Sequence, residues 1–322
     1  MTTFKEISGQ LIRTLSSDPA NLLEGQIWYN STIGVLKVSE VLPTAWSSGG
    51  NLTTARSGFG GAGIQTAGLG FGGDLSPGAS SATEEYNGTS WSPGGNLGTA
   101  RYTFAGAGTQ TAALGFGGSA PTTGATEEYN GSIWTGGGTM LGARFALAGC
   151  GTQTAGLGFG GYPVPLAAST EAYNGSAWTA GGSMNTGRRV LGGCGTQTAA
   201  LGFGGYIGPT TNITEEYNGS VWTTSGNLNT ARSQMGSAGI QTAALAFGGS
   251  PTLPTQTGIT EEYNGSVWAT SPASLATARR SMANTIGTQA SALAAGGFGP
   301  VKTAVTEEYN SGLIGTKTLT TS

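Results

Sequence analysis

Paired basic and acidic residues recur along this sequence at matching places. An arginine occurs six times, at Arg56, Arg101, Arg144, Arg188, Arg232 and Arg279. A glutamate follows each of them, at Glu84, Glu127, Glu171, Glu215, Glu261 and Glu307. A catalytic site is one distinct constellation, so six copies of one pair indicate a repeated ion pair or turn hydrogen bond. The residue directly after each of these glutamates is a second glutamate, except in the third copy, where it is Ala172. We therefore predict that the side chain at this second position is solvated.

Histidine is absent from the chain, which removes the commonest general base and the commonest transition-metal ligand. The two cysteines, Cys150 and Cys194, lie 44 residues apart at equivalent repeat positions. We predict that both are reduced and buried on neighbouring repeats, too far apart for a disulfide. We therefore expect no metal, no cofactor and no enzymatic activity.

Tryptophan marks the same period. It recurs at Trp46, Trp91, Trp134, Trp178, Trp222 and Trp268, in steps of 45, 43, 44, 44 and 46 residues. A fixed period in this range is typical of propellers, solenoids and arrays. The sequence of each copy predicts four short strands. The first follows the arginine and is rich in small residues, the second ends at Gly-Gly, the third has the sequence Thr-Glu-Glu-Tyr, and the fourth contains the tryptophan. Asn130-Gly131 and its equivalents predict two-residue hairpin turns with positive φ at both positions.

Composition excludes several classes of protein. Of 322 residues 60 are glycine, and 9% are charged, with a net charge of −3 and no basic cluster. Nucleic-acid binding needs basic patches, so it is not expected. The absence of an apolar run of membrane-spanning length argues against membrane insertion. The first residues lack the apolar core of a signal peptide, which predicts synthesis in the cytoplasm of the producing cell.

The repeat resembles the kelch repeat of β-propellers over about residues 46–310. Gly-Gly after the second strand, tyrosine in the third and tryptophan in the fourth carry this resemblance, which implies an all-β, six-bladed kelch-like β-propeller over residues 44–322. Tryptophan and tyrosine would then form the contacts between blades. The last copy has no tryptophan after Tyr309, so we predict that Thr44–Trp46 supplies its fourth strand. The alternative is that residues 316–320 fill this place.

Variation between copies is concentrated in the loops between the second and third strands. These loops share one face of the predicted propeller, whereas the opposite face is nearly constant. Binding residues commonly lie on loops held by a rigid scaffold, and neutral drift is the alternative explanation. The candidate binding residues are Asp74, Tyr162, Pro163, Tyr206, Pro209, Pro254 and Phe298.

Residues 1–43 lie outside the repeat. Residues 25–38 predict a β-hairpin, and a helix is expected over residues 5–15. The segment 25–37 resembles one near the start of virion proteins of tailed bacteriophages, especially tail-fibre and other appendage proteins. This resemblance implies a virion protein whose residues 1–43 attach to other virion proteins, with an oligomer expected if it is a fibre component.

The favoured function is thus a non-enzymatic virion structural or adhesion protein that binds a glycan or protein of the host surface. An intracellular kelch-type scaffold for protein interactions is the alternative. A glycan-acting enzyme is less favoured, because a hydrolase needs a unique carboxylate pair and an oxidase of the galactose-oxidase type needs histidine ligands.

Overall fold

The computed structural model describes residues 12–19, 21–41, 43–162, 168–283, 285–312 and 314–319. Within these ranges the chain forms 27 β-strands and no helix. It divides into two compact units: Met1–Thr44 with Asn310–Ser322, and Ala45–Tyr309. The second unit ends earlier than the predicted domain 44–322, because the last strand of the chain pairs within the first unit.

The first unit contains one four-stranded sheet. Its strands are β1 (Arg13–Leu15), β2 (Ile27–Asn30), β3 (Val35–Val41) and β27 (Ile314–Leu319), in the order β1-β2-β3-β27. β2 and β3 form the predicted antiparallel hairpin. The predicted helix is wrong for Arg13–Leu15, because these residues pair in parallel with β2. Residues 5–11 of that prediction lie outside the described residues.

Asp18 links the two strands of the hairpin through its carboxylate. It accepts hydrogen bonds from Trp28 Nε1 at 3.2 Å and Asn30 Nδ2 at 3.0 Å, and it pairs with Lys37 at 2.6 Å. The bond from Lys37, followed by that from Asn30, holds the pKa of Asp18 below its ordinary value. Trp28 is fully buried here.

The second unit is a series of six antiparallel sheets, numbered 1 to 6 along the chain. Sheet 1 comprises β5 (Gly60–Ile64), β6 (Ala67–Phe71), β7 (Thr83–Tyr86) and β8 (Trp91–Pro93). Sheet 2 comprises β9 (Ala105–Gly108), β10 (Ala113–Phe116), β11 (Thr126–Tyr129) and β12 (Trp134–Gly136). Sheet 3 comprises β13 (Ala148–Gly151), β14 (Gly156–Phe159), β15 (Thr170–Tyr173) and β16 (Trp178–Ala180).

The remaining sheets follow the same plan. Sheet 4 comprises β17 (Gly192–Gly195), β18 (Ala200–Phe203), β19 (Thr214–Tyr217) and β20 (Trp222–Ser225). Sheet 5 comprises β21 (Gly236–Ile240), β22 (Ala243–Phe247), β23 (Thr260–Tyr263) and β24 (Trp268–Thr270). Sheet 6 comprises β25 (Ser291–Ala295), β26 (Thr306–Asn310) and β4 (Ala45–Ser48). Such repeated sheets are consistent with a propeller-like repeat fold.

Sheet 6 joins distant parts of the chain. β4 lies next to β26, so the strand that contains Trp46 takes the place predicted for it. The alternative occupant, residues 316–320, is wrong for Thr316–Leu319, because these residues pair with β3. In place of a first strand, sheet 6 has an isolated bridge between Gly287 and Ala292.

The turn between the third and fourth strands differs from its prediction. In sheet 2, Asn130 opens the turn, and its Oδ1 accepts the backbone N–H groups of Ser132 and Ile133 at 3.0 Å each. Gly131 has a φ of 90°, whereas Asn130 is not among the residues with positive φ. The predicted placement of both residues at positive φ is therefore wrong, because the asparagine side chain caps the turn instead.

The core lies between consecutive sheets rather than within any one of them. Six clusters of buried side chains each combine residues of two neighbouring sheets. In one of them Leu52, Phe59 and Trp91 of sheet 1 pack with Ile286 and Leu293 of sheet 6. A four-stranded sheet cannot bury both of its faces alone, so each sheet depends on its neighbours for stability.

Candidate functional site

Each of the six arginines forms a buried ion pair with the glutamate of its own sheet, as the repeat predicted. Arg101 shows the pattern: its guanidinium lies 3.1 Å from Glu127 Oε1 and also donates to the carbonyls of Gly117 and Ala125 at 3.2 and 2.8 Å. Glu127 Oε2 accepts the N–H of Gly98 at 2.6 Å. The pair therefore fixes the loop between the second and third strands to the start of the sheet.

Burial lowers the pKa of these arginines, while the paired glutamates act to raise it. At Arg232 burial lowers the pKa to about 10 against the opposing effect of Glu261. Removing one member of a buried pair leaves an uncompensated charge, which typically costs about 3–5 kcal/mol. These residues stabilise the scaffold that carries the variable loops.

The second glutamate of the repeat is not simply solvated, which corrects the prediction. Its Oε1 accepts the hydroxyl hydrogen of a tyrosine in the following sheet, as from Tyr129 to Glu85 at 2.6 Å and from Tyr173 to Glu128 at 2.5 Å. Burial, followed by the bond to Glu85, raises the pKa of Tyr129 to about 12. The third copy has Ala172 in this place, so the Tyr217 hydroxyl lacks the carboxylate that the equivalent tyrosines contact.

A glutamine in the turn between the first and second strands also links neighbouring sheets. Gln110 Nε2 donates to the carbonyls of Gly68 and Tyr86 at 3.0 and 2.7 Å. The equivalent Gln65 of sheet 1 donates to Tyr309 of sheet 6 at 2.7 Å. The sequence-based predictions gave this glutamine no role, although its place in Gly-Thr-Gln or Gly-Ile-Gln in all six copies was a usable signal.

Tryptophan makes a third link between the sheets. Trp134 Nε1 donates to Thr83 Oγ1 of the preceding sheet at 2.9 Å, and Trp91 donates to Thr306 of sheet 6 at the same distance. Trp46 likewise donates to Thr260 of sheet 5 at 2.9 Å. The predicted role of tryptophan in contacts between neighbouring sheets is confirmed.

Six residues with left-handed backbone form a ring at one end of the first strands. Their φ angles lie between 49° and 60°, and each N–H donates to the carbonyl of its counterpart in the preceding sheet at 2.6–2.8 Å. They are Gly58, Thr103, Ala146, Val190, Gln234 and Ser281. The bond from Gly58 to Ser281 returns the series to its start. The variable loops begin beside this ring.

The variable loops and the residues just before the ring together make the variable face. In every sheet the residue that follows the arginine forms a bridge with the residue that follows Gly-Gly. The six bridges are Ser57 to Asp74, Tyr102 to Ser119, Phe145 to Tyr162, Arg189 to Tyr206, Ser233 to Ser250, and Arg280 to Phe298. Their backbones are equivalent and their side chains differ, so the scaffold presents six different pairs at one edge.

Two of the candidate binding residues meet on this face. The guanidinium carbon of Arg189 lies 4.7 Å from the ring centroid of Tyr162 and 5.1 Å from that of Tyr206. Phe145 supports Tyr162 with ring centroids 5.3 Å apart. Sequence reasoning missed Arg189, whose only signal was a second arginine directly after the repeated one.

The other candidates lie apart from this cluster. Asp74 pairs with Lys302 at 2.5 Å; burial acts to raise the pKa of Asp74, but the bonds from Lys302 and Ser76 lower it overall. Phe298 lies under Arg280 at 4.7 Å, and the carbonyl of Pro254 accepts from Arg280 at 3.1 Å. Pro209 is exposed. Pro163 lies outside the described residues.

Cys150 and Cys194 line a cavity of about 140 Å³ at the other end of the first strands. Both thiols are free and buried on the equivalent strands β13 and β17, as predicted. Burial raises the pKa of Cys150 to about 12 and also raises that of Cys194. Thiolates are the reactive form of cysteine, so burial and a raised pKa both disfavour reaction of these two thiols.

No known protein family matches this chain, and no curated protein matches it. Across the described ranges, no group of three or more cysteine, aspartate or glutamate side chains could hold a metal ion. The same ranges contain no helix that could span a membrane.

Proposed function

We propose that residues 45–309 form a closed six-bladed propeller of the kelch type. The hydrogen-bond ring that returns from Gly58 to Ser281 supports this proposal. The contacts of sheet 6 with sheet 1, through Trp91 to Thr306 and Gln65 to Tyr309, are equivalent to those between all other neighbours. A seventh sheet would have to interrupt these bonds.

We infer that the protein is a non-enzymatic adhesion or display protein of a tailed-bacteriophage virion, and that the variable face binds a host-surface ligand. The observation that carries this inference is the contrast between six equivalent backbone bridges and the unlike side chains upon them. Loops on a rigid scaffold commonly carry binding residues. In 45–309 the described glutamates pair with arginine or face neighbouring tyrosines, and Asp74 pairs with Lys302, which favours binding over hydrolysis.

The first unit is proposed to attach the protein to other virion proteins. This unit exposes apolar side chains that a partner could cover: Leu23, Ile33 and Val41 are exposed by 72%, 58% and 45%. Aromatic and aliphatic side chains at such positions supply the buried centre of protein interfaces. Assembly of several copies on one particle would accompany this attachment if the protein belongs to a fibre.

Mass spectrometry of purified particles tests the virion assignment. We expect peptides of this protein in particles that have been banded twice and treated with protease to remove loosely bound host proteins. Recovery from the infected-cell lysate but not from particles would contradict the assignment and favour the intracellular scaffold.

Replacing residues of two variable loops tests the binding face. The variant replaces Tyr206–Pro209 with glycine and serine and also carries Tyr162→Ser. Thr210 and Asn212 are kept, because their side chains donate to the carbonyls of Pro251 and Leu228. We expect unchanged thermal melting and reduced adsorption to host cells. A matched control replaces three exposed residues in turns between third and fourth strands, Ser132, Ser176 and Ser220, with alanine. Equal adsorption by both variants and the native protein would contradict a binding role for this face.

A further inference from the structure

Arg189 and Arg280 stand apart from the other cations of the repeat unit. Residues 45–309 contain nine arginine and lysine residues. Six of the arginines pair with glutamate, and Lys302 pairs with Asp74. Neither Arg189 nor Arg280 makes an ion pair with a described residue, and both lie on the variable face.

Arg189 is held in place without using its hydrogen-bond donors. Tyr162 and Tyr206 contact its guanidinium carbon at 4.7 and 5.1 Å, and the backbones of Arg189 and Tyr206 exchange hydrogen bonds at 2.9 and 3.2 Å. The guanidinium and the two tyrosine hydroxyls make no hydrogen bond to any described residue. One positive charge and several N–H and O–H donors are therefore held together at the edge of the scaffold.

We propose that the cluster of Tyr162, Arg189 and Tyr206 binds the anionic group of an acidic glycan, a carboxylate, sulfate or phosphate. This rests on the proposed binding role of the variable face and names its ligand class. The planar guanidinium presents paired N–H groups that match two oxygens of such an anion, and the hydroxyls can donate to further oxygens. Because the side chains are already ordered by packing, little entropy is lost on binding.

A saccharide suits this cluster better than a protein surface. Interfaces between proteins have an apolar centre, but in the described part of the two loops Ile207, at 36%, is the one large apolar side chain that is exposed. Asp74, the one acidic residue in the sequence of the variable loops, belongs to sheet 1 and pairs with Lys302, so it does not compete with an anion for Arg189.

Glycan-array binding of the full-length protein tests the proposal. The array carries one neutral core, such as lactose, and the same core bearing sialic acid, a sulfate or a phosphate, which separates the possible anions. We expect selective binding to at least one anionic form that weakens as salt is raised. Arg189→Gln should weaken it about tenfold or more, and Arg189→Lys should recover only part of the loss.

Arg280→Gln is the matched control. Arg280 occupies the equivalent position of sheet 6, but its Nη1 already donates to the carbonyl of Pro254 and its aromatic partner Phe298 has no hydroxyl. We expect Arg280→Gln to bind like the native protein, and both variants to melt like it. Binding to neutral glycans alone, or anionic binding that survives Arg189→Gln, would overturn this inference while leaving the binding face intact. Absence of binding to every glycan, together with unchanged host adsorption by the loop variant, would overturn both proposals.

Discussion

Two equivalent tyrosines should respond differently to the same substitution. The Tyr129 hydroxyl donates to Glu85 of the preceding sheet at 2.6 Å, whereas the Tyr217 hydroxyl has Ala172 in the corresponding place. The two side chains are otherwise alike, exposed by 0% and 3%. Tyr129→Phe removes a hydrogen bond to a carboxylate, and Tyr217→Phe removes a hydroxyl that has no such partner.

The size of the difference follows from the burial of the carboxylate. Hydrogen bonds to charged groups contribute about 1.5–3 kcal/mol to stability. Glu85 is half-buried, so water replaces part of the lost bond, and we expect Tyr129→Phe to lower the free energy of unfolding by about 1–2 kcal/mol. Tyr217→Phe should change it by less than about 0.5 kcal/mol.

The missing carboxylate can be supplied to the third copy. A Cβ at Gly94 would lie 2.9 Å from the Tyr129 hydroxyl, and one at Gly181 would lie 2.8 Å from the Tyr217 hydroxyl, so the hydroxyls occupy equivalent places. Ala172→Glu should therefore stabilise the protein by about 0.5–1 kcal/mol after the cost of ordering the side chain. The gain should vanish when Tyr217 is replaced by phenylalanine.

Urea unfolding followed by tryptophan fluorescence measures the stability of Tyr129→Phe, Tyr217→Phe, Ala172→Glu and the double variant Ala172→Glu with Tyr217→Phe. If the dependence of the unfolding free energy on urea is unchanged, stability alone has changed. Equal destabilisation by Tyr129→Phe and Tyr217→Phe would refute the reasoning. So would stabilisation by Ala172→Glu that persists without the Tyr217 hydroxyl, because the new carboxylate would then act through another contact.

Three further predictions concern the same scaffold. Burial and Glu85 raise the pKa of Tyr129 to about 12 from 10.0, so the stability that its hydroxyl contributes is complete below pH 10 and is lost as the pH rises to 12. Across this pH range Tyr129→Phe should therefore lose less stability than the native protein, and an identical loss would contradict the assignment. Trp134→Ala should lower the free energy of unfolding by about 3–5 kcal/mol in urea titrations, and Thr83→Val, which removes only its hydrogen-bond acceptor, by about 1 kcal/mol; similar values for the two would contradict the interface role. Cys150 and Cys194 should react with a thiol reagent only after unfolding, so rapid labelling of the native protein would contradict their burial.

The sheets could be predicted because the residues that form the same contacts recur six times in the sequence. Gly-Gly, tyrosine and tryptophan recur at one spacing, and the place of β4 followed from the tryptophan that the last copy lacks. Details set by side-chain hydrogen bonds were harder to predict. The Asn130 side chain moves the turn by one residue, and the second glutamate serves a tyrosine that lies one repeat further along the chain.

The candidate site was predictable only as a face. Tyr162 and Tyr206 were expected on it because their loops vary, but they lie in different repeats and their common neighbour is Arg189. A spacing argument treats each copy separately, so it cannot show which unlike residues of adjacent copies meet. The same limit applied to β27. Its sequence favours a β-strand but does not distinguish sheet 6 from the sheet of the first unit, and its partner β3 lies far away in the sequence.

The pairing of β4 with β26 has a consequence for synthesis on the ribosome. Ser47 bonds to the carbonyl of Glu308, 261 residues later in the chain. The strand made first in this unit must therefore wait unpaired, with its tryptophan exposed, until nearly the whole unit has been translated. In a chain that stops before residue 306, β4 has no β26 to pair with, and such an unpaired strand edge favours aggregation.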